Sequence, residues 1–135
     1  MYDIAIIGGG PAGLAAGLYG ARGGMDTVLL ENMLVGGQIT KTTQVDNYPG
    51  FPDGIDGFAI GTNMQKQAER FGLEIKRTGV DSVELEGEIK RLHCGREVIE
   101  AKAVIIATGA HPKKLGLDRE EKLTGAGVSY CATCD

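Results

Sequence analysis

Apolar and polar positions change rhythm several times along the chain, and each rhythm predicts an element. Residues 3–7, Asp-Ile-Ala-Ile-Ile, form a short apolar run suited to a buried parallel strand. From Ala12 to Gly23 the apolar residues are small or helical in spacing (Leu14, Ala15, Ala16, Leu18, Tyr19, Ala21), which predicts a small-residue helix. Thr27–Leu30 is a second apolar run and ends at Glu31. Met33 to Pro52 has no clean period and reads as a long loop, with a short helix starting near Gly37. Gly57 to Phe71 returns to a helical period. Phe58, Gly61, Met64, Ala68 and Phe71 share a face, Met64 and Phe71 are expected in the core, and Gly72 ends the helix.

The second half is strand-like. Leu73–Lys76 reads as a strand, and three alternating segments follow at Val80–Leu85, Ile89–Cys94 and Arg96–Ala101. Short turns carrying Glu86-Gly87-Glu88 and Gly95 separate them, which predicts a three-stranded antiparallel meander. It is expected as an insertion before the sheet resumes at Ala103–Ala110, a buried strand ending in a turn. His111-Pro112 then leaves the sheet, and Asp118–Lys122 is charged and expected on a solvated face. Strands alternating with helices predict an α/β fold with a parallel sheet.

Composition narrows the possible functions. Glycine accounts for 22 of 135 residues, against a globular average of about 7%. There is no G-X-Y period and only 4 Pro, so collagen-like and proline-rich disordered chains are excluded. Trp is absent, with 4 Tyr and 3 Phe, too few for a platform that stacks single-stranded nucleic acid. The net charge of -4, with no basic block, argues against a phosphate-backbone binder. No run of apolar residues is long enough to span a membrane, and no basic segment precedes an apolar one at the start, so neither a membrane nor a secretory signal is expected. Three Cys in such a chain suggest reactive or buried thiols in a reducing compartment.

The glycines have places. Gly8, Gly10 and Gly13 in Gly8-Gly9-Gly10-Pro11-Ala12-Gly13 fit G-x-G-x-x-G, directly after a strand and opening a helix. Gly8 permits the tight turn, Gly10 leaves room for a pyrophosphate, and Gly13 lets the helix pack close to the sheet. The helix start at Pro11 and Ala12 offers unpaired N–H groups to the diphosphate. Glu31, about 20 residues on, is placed to accept from a ribose 2′-OH and to repel a 2′-phosphate. The site is therefore expected to hold FAD or NAD rather than NADP. Thr108 and Gly109 end the last strand, where an open α/β sheet puts ligand contacts. Val80, with Asp81, is the candidate for an adenine contact.

The chain closes on Cys131-Ala132-Thr133-Cys134-Asp135. Two thiols at this spacing can close and reopen as a disulfide: one attacks an external disulfide, and the other resolves the mixed species. An inert pair and half a zinc site are the other readings. Zinc needs two more soft ligands. Cys94, His93 and His111 are the candidates, and their spacing fits no zinc module, so no metal is expected. Asp135, beside the second thiol, is a candidate proton donor.

Together the glycine fingerprint, Gly36-Gly37-Gln38-Ile39-Thr40, Asp46-Asn47-Tyr48-Pro49-Gly50, Ile105-Ile106-Ala107-Thr108-Gly109-Ala110 and the Cys-Ala-Thr-Cys-Asp ending resemble the low-molecular-weight thioredoxin reductases of bacterial type. These are flavoproteins with two dinucleotide-binding domains, of the class II pyridine nucleotide-disulfide oxidoreductases. The resemblance covers the whole chain in order and implies an interrupted architecture. Residues 1–114 would be the N-terminal part of an FAD-binding domain, a Rossmann-like three-layer sandwich with the inserted meander. Residues 115–135 would be the crossover into an NADPH-binding domain whose remainder is absent, so the chain is expected to be truncated. It further implies that Glu31 through Gln38, including Asn32, Gly36 and Gly37, wrap the FAD ribose and pyrophosphate, and that Asn47 contacts the flavin side. Cys131 would attack the disulfide of thioredoxin, Cys134 would exchange electrons with the flavin, and Asp135 would assist. The implied reaction passes electrons from NADPH through FAD and the Cys131–Cys134 pair to thioredoxin, in a cytoplasmic homodimer. Related enzymes take electrons from ferredoxin or pass them to peroxiredoxin or glutaredoxin-like proteins. The 135 residues alone are expected to be inactive and to hold FAD poorly.

Overall fold

Strand side chains alternate between two cores, and that alternation organises the molecule. The computed structural model describes residues 1–131. β1 (Tyr2–Ile7) lies between β2 (Thr27–Leu30) and β6 (Glu97–Ile106), parallel to both. β3 (Glu74–Lys76) adds to β2, again parallel. β5 (Lys90–Cys94) and β4 (Ser82–Glu84) extend the other side antiparallel, giving one sheet of order β3-β2-β1-β6-β5-β4. The fold is thus α/β, with a mixed sheet and flanking helices.

On one face Ile6 and Leu29 join Leu14 of α1 (Pro11–Arg22), Ala68 of α2 (Gly57–Arg70), Val35 and Leu73. On the other, Ala5, Val28 and Leu30 join Leu92, Cys94, Ile99 and Ala101. Successive residues of a strand point to opposite faces, so the uninterrupted run Ile4–Ile7 serves both cores. Helix α1 comes close to the sheet because its inner face is glycine. A Cβ on Gly17 would lie 2.6 Å from Leu73 Cδ2, and one on Gly20 would lie 2.8 Å from Thr27 Oγ1.

Four expectations are corrected. The third segment of the expected meander and the buried strand after it are one ten-residue strand, β6. Its first half pairs antiparallel with β5, from Cys94–Glu97 to Lys90–Ala101. Its second half pairs parallel with β1, from Tyr2–Ala101 to Ile7–Ile106. No insertion separates the two, because Lys102 carries the strand through without a turn residue. Second, Ile105 and Ile106 are exposed rather than buried, because neither packs into the two buried clusters on the faces of the sheet. Third, Phe58 and Phe71 are exposed. The buried stripe of α2 is Gly57, Ile60, Gly61 and Ala68. Phe58 lies about 160° round the helix from the buried Ile60, and Phe71 falls past the last helical turn, under the Arg70 guanidinium at 4.9 Å. Met64 does pack against the helix-side core.

The fourth correction concerns the charged run at Asp118–Lys122. Glu120 opens the short helix α3 (Glu120–Leu123) and is only 4% exposed. Its carboxylate is buried because backbone N–H groups surround it, as described below. The helix expected near Gly37 is a 3-10 turn over Gly37–Lys41, and Gly72 follows α2 at φ 96°. Among the described residues, no helix is long and apolar enough to cross a membrane.

Candidate functional site

After β1 the chain turns away to β2 on one side, while β6 lies on the other. The carboxyl ends of β1 and β6 lie side by side, with Ala107 N donating to the Ile7 carbonyl at 2.8 Å, and ligands of open α/β sheets bind beyond such strand ends. Here a cavity of about 600 Å³ opens between Gly8–Pro11, the 37–41 turn and the Ala107–His111 segment.

The three fingerprint glycines stand in different surroundings. Gly8 has φ 107°, and a Cβ there would lie 2.3 Å from the Ala107 carbonyl oxygen. A Cβ on Gly13 would lie 1.9 Å from the Gly8 carbonyl oxygen. Both are demanded by close packing of β1, β6 and α1. Gly10 differs: a Cβ there meets no described atom within 4 Å. Its missing side chain leaves space in the cavity rather than room for another part of the protein.

Gly10 also precedes α1, and no described side chain caps that helix. The first turn of a helix lacks carbonyl partners for its N–H groups. Pro11, at the first helical position, has no N–H to lose. Ala12 and Gly13 follow with theirs. No acidic residue stands in the first turn to compete with an anionic ligand.

Glu31 closes one end of the cavity. Its Oε2 accepts from Gly9 N at 2.7 Å and its Oε1 from Met33 N at 2.7 Å. Each carboxylate oxygen can accept a further hydrogen bond, so Glu31 is oriented with capacity to spare. Gly36, at φ 111°, donates from its backbone N to the Gly9 carbonyl at 2.8 Å and ties the second glycine pair to the first. Gly37 presses against Gly10, where a Cβ would lie 2.9 Å from the Gly10 Cα. At the far end the Gln38 side-chain amide donates to the Ala110 carbonyl and lies 3.5 Å from His111 Nδ1.

The cavity brings together Gly8, Gly10, Pro11, Glu31, Gly37, Gln38, Thr108 and Gly109 of the expected set. Ala12 and Gly13 adjoin it in the first turn of α1. Other expected residues lie apart from its lining. Asn32 packs beside Gly79. Asn47 sits in the Asp46–Pro52 loop, around a separate open depression. Val80 packs on the Leu92 and Ile99 core. Lys41 and His111 line the cavity although their own pattern did not mark them. The signal was position, since each directly follows a segment already assigned to the site.

At the other end of the described chain, Cys131 is disulfide-bonded. Cys134 and Asp135 lie outside the described residues. Cys94 is free and buried, and burial pushes its thiol pKa up, which disfavours the reactive thiolate. Among the described residues, no group of three or more His, Cys, Asp or Glu could hold a metal ion.

A model of the pyridine nucleotide-disulphide oxidoreductase family matches residues 2–135. The chain belongs to that family. Within it, the thioredoxin reductase of Peptoclostridium litorale is 53% identical over 135 residues, which is 100% of this chain and 43% of that protein. The structure of thioredoxin reductase from Streptococcus pyogenes superimposes with a TM-score of 0.89 at 43% identity, covering 100% of this chain and 44% of that one. A ferredoxin-flavin thioredoxin reductase from Clostridium acetobutylicum gives a TM-score of 0.76 at 35% identity, covering 99% of this chain and 46% of that one. The chain thus spans less than half the length of these oxidoreductases. The resemblance to bacterial-type thioredoxin reductases holds over its whole length.

Proposed function

We propose that this chain is the N-terminal part of an FAD-dependent thioredoxin-disulfide reductase. The observation that carries the reading is Gly10: an open position before an uncapped helix, facing a cavity that runs from Glu31 to Gly109. An extended dinucleotide fits that shape. Gly10, Ala12 and Gly13 would face its diphosphate with backbone N–H groups and the positive end of α1. Glu31 would accept from a ribose hydroxyl, and Gln38, Thr108 and Gly109 would border the isoalloxazine side. Of the remaining expected residues, Gly36 would hold the 37–41 turn against Gly9, while Asn32, Asn47 and Val80, apart from the cavity lining, would reach the FAD only where it extends beyond that lining. β4, β5 and the antiparallel first half of β6, whose Leu92 and Ile99 pack with Ala5 and Val28, would form the third layer of the FAD domain, residues 1–114. Residues 115–135 would lead into the NADPH domain.

FAD supplies the two-electron relay between the electron donor and the disulfide. The chain's own residues do the thiol chemistry. The Cys131 thiolate attacks one sulfur of the thioredoxin disulfide, forming a mixed disulfide and releasing one thioredoxin thiolate. The Cys134 thiolate then attacks the Cys131 sulfur. This frees the second thioredoxin thiol and leaves Cys131 and Cys134 oxidised, and two electrons from NADPH return the pair to dithiol form. Asp135 would supply a proton to a leaving thiolate. A cytoplasmic homodimer is the assembly that goes with this chemistry.

The test is NADPH-driven reduction of thioredoxin by the whole protein that carries this chain. Turnover with bound FAD is expected. A parallel arm with reduced ferredoxin reads the donor, a question raised by the likeness to the Clostridium acetobutylicum enzyme. Arms with a peroxiredoxin and a glutaredoxin-like protein read the acceptor. An FAD-loaded protein that reduces thioredoxin with neither donor sinks the reading.

A further inference from the structure

Three successive N–H groups, of Leu115, Gly116 and Leu117, point at one carboxylate. Glu120 Oε1 accepts from Leu115 N at 2.8 Å, and its Oε2 accepts from Gly116 N at 2.7 Å and Leu117 N at 3.1 Å. The same Oε1 also accepts from the Tyr130 hydroxyl. This side chain therefore joins the start of the 115–131 segment to its end. The backbone between is folded back on itself. Thr124 Oγ1 donates to the Glu120 carbonyl at 2.9 Å, Val128 N donates to the Leu123 carbonyl at 2.8 Å, and Gly125 N donates to the Val128 carbonyl at 3.0 Å. Tyr130 immediately precedes Cys131. Cys131 N donates to Ser129 Oγ at 3.1 Å, which fixes the backbone of the cysteine against the residue before Tyr130.

We infer that Glu120 is a positioning residue for the redox cysteine pair, acting on Cys131 through the Tyr130 hydroxyl. This rests on the disulfide-reductase reading above. Glu120 has little else to do. It is nearly inaccessible, it does not line the glycine cavity, and its acceptor capacity is taken up by this one segment. A carboxylate is the side chain that can accept from four donors at once. Glutamine at 120 would offer one oxygen and turn N–H groups toward N–H groups. Phenylalanine at 130 keeps the ring and removes only the link.

The experiment uses the whole protein with FAD bound, as E120Q, Y130F and the double variant. Thioredoxin kcat is expected to fall roughly tenfold in each single variant, the cost of misplacing a reacting group by a fraction of an ångström. KM, the flavin spectrum and the rate of flavin reduction by the donor stay unchanged. The double variant is expected to be no slower than E120Q, because both changes cut one link. After dithiothreitol reduction, iodoacetamide labelling of Cys131, mapped by peptide mass spectrometry, changes in rate in the same order. Single variants with wild-type turnover, or losses that multiply in the double variant, would overturn the proposal. Should E120Q lose its FAD, Y130F decides alone, and wild-type turnover there overturns it. Should the wild type reduce thioredoxin with no donor, the functional reading fails by itself. The labelling rates then still decide on Glu120, and identical rates in all variants count against it.

Discussion

Two stretches of this molecule gather backbone N–H groups at one point, and only one of them is filled by a carboxylate of the chain itself. At 115–117 the acceptor is the chain's own Glu120, buried and fully engaged. At the start of α1 no described side chain fills that place, and the residue facing the gap is a glycine that no packing contact requires. A donor set filled from within is architecture, whereas one left open beside a cavity is a candidate site. The difference does not follow from the mere presence of glycine, since glycines stand in both stretches.

The sharpest way to break the comparison is within the fingerprint itself. Gly13→Ala drives a methyl group into the Gly8 carbonyl and is expected to cost about 3 kcal/mol or more in denaturant unfolding, with loss of FAD as a consequence. Gly10→Ala is expected to cost less than about 1 kcal/mol, yet to weaken FAD binding roughly tenfold or more, read by flavin fluorescence titration. Equal effects on stability at the two positions would remove the distinction between packing glycine and ligand glycine.

Glu31→Gln comes next in size. It keeps the shape but weakens the hold on Gly9 N, Met33 N and a ribose hydroxyl, and FAD affinity is expected to fall by about tenfold or less. The filled donor set makes a prediction in pH. Hydrogen bonds from Leu115 N first, then Leu117 and Gly116 N, with the nearby Lys114 charge, hold the Glu120 carboxyl below the ordinary glutamate range. A folded pKa lowered in this way contributes stability that is complete above the unfolded value, about 4.3, and is lost as pH falls through the folded value. Hydrogen exchange of the Leu115–Leu117 amides is therefore expected to be slow at neutral pH after correction for intrinsic rates, and to lose protection only in strong acid. E120Q abolishes that dependence. The smallest effect is expected at the exposed Lys76–Glu97 pair, 2.7 Å apart. Lys76→Met should change thermal stability by no more than about 1 kcal/mol, and less in high salt.

Sequence pattern carried the reading well where one physical cause dominates. Runs such as Ile4–Ile7 and Thr27–Leu30 must be strands buried on both faces, and the glycine spacing after the first of them has few other uses. It failed where two causes compete. Arg96–Ala101 and Ala103–Ala110 look like two strands, because one alternates and the other is uniformly apolar. β6 changes its partners midway without a turn, and pattern reports surroundings rather than continuity. Glu120 looked solvated because its acceptors' partners are backbone atoms, which have no letter in the sequence. Phe71 looked like core because a helical period marks a stripe without marking where the helix ends. Within the site, strand-end and fingerprint residues were legible. Asn32 and Asn47 were placed by family resemblance and Val80 by its position in the chain, and in the described structure all three stand apart from the cavity.

The continuity of β6 bears on what can be changed in this protein. Its first half takes its register from β5 and its second half from β1, so one ruler sets both cores. Adding a single residue between Ala101 and Ala103 would leave each half correct on its own and force them out of phase, turning Val104 and Ile106 toward the wrong layer. The tips at Gly87 and Gly95 carry no such constraint, since each closes a turn between neighbouring antiparallel strands. Tags, loops or natural insertions belong at those tips, and length variation among descendants of this chain should collect there while the span from Glu97 to Ile106 keeps its count.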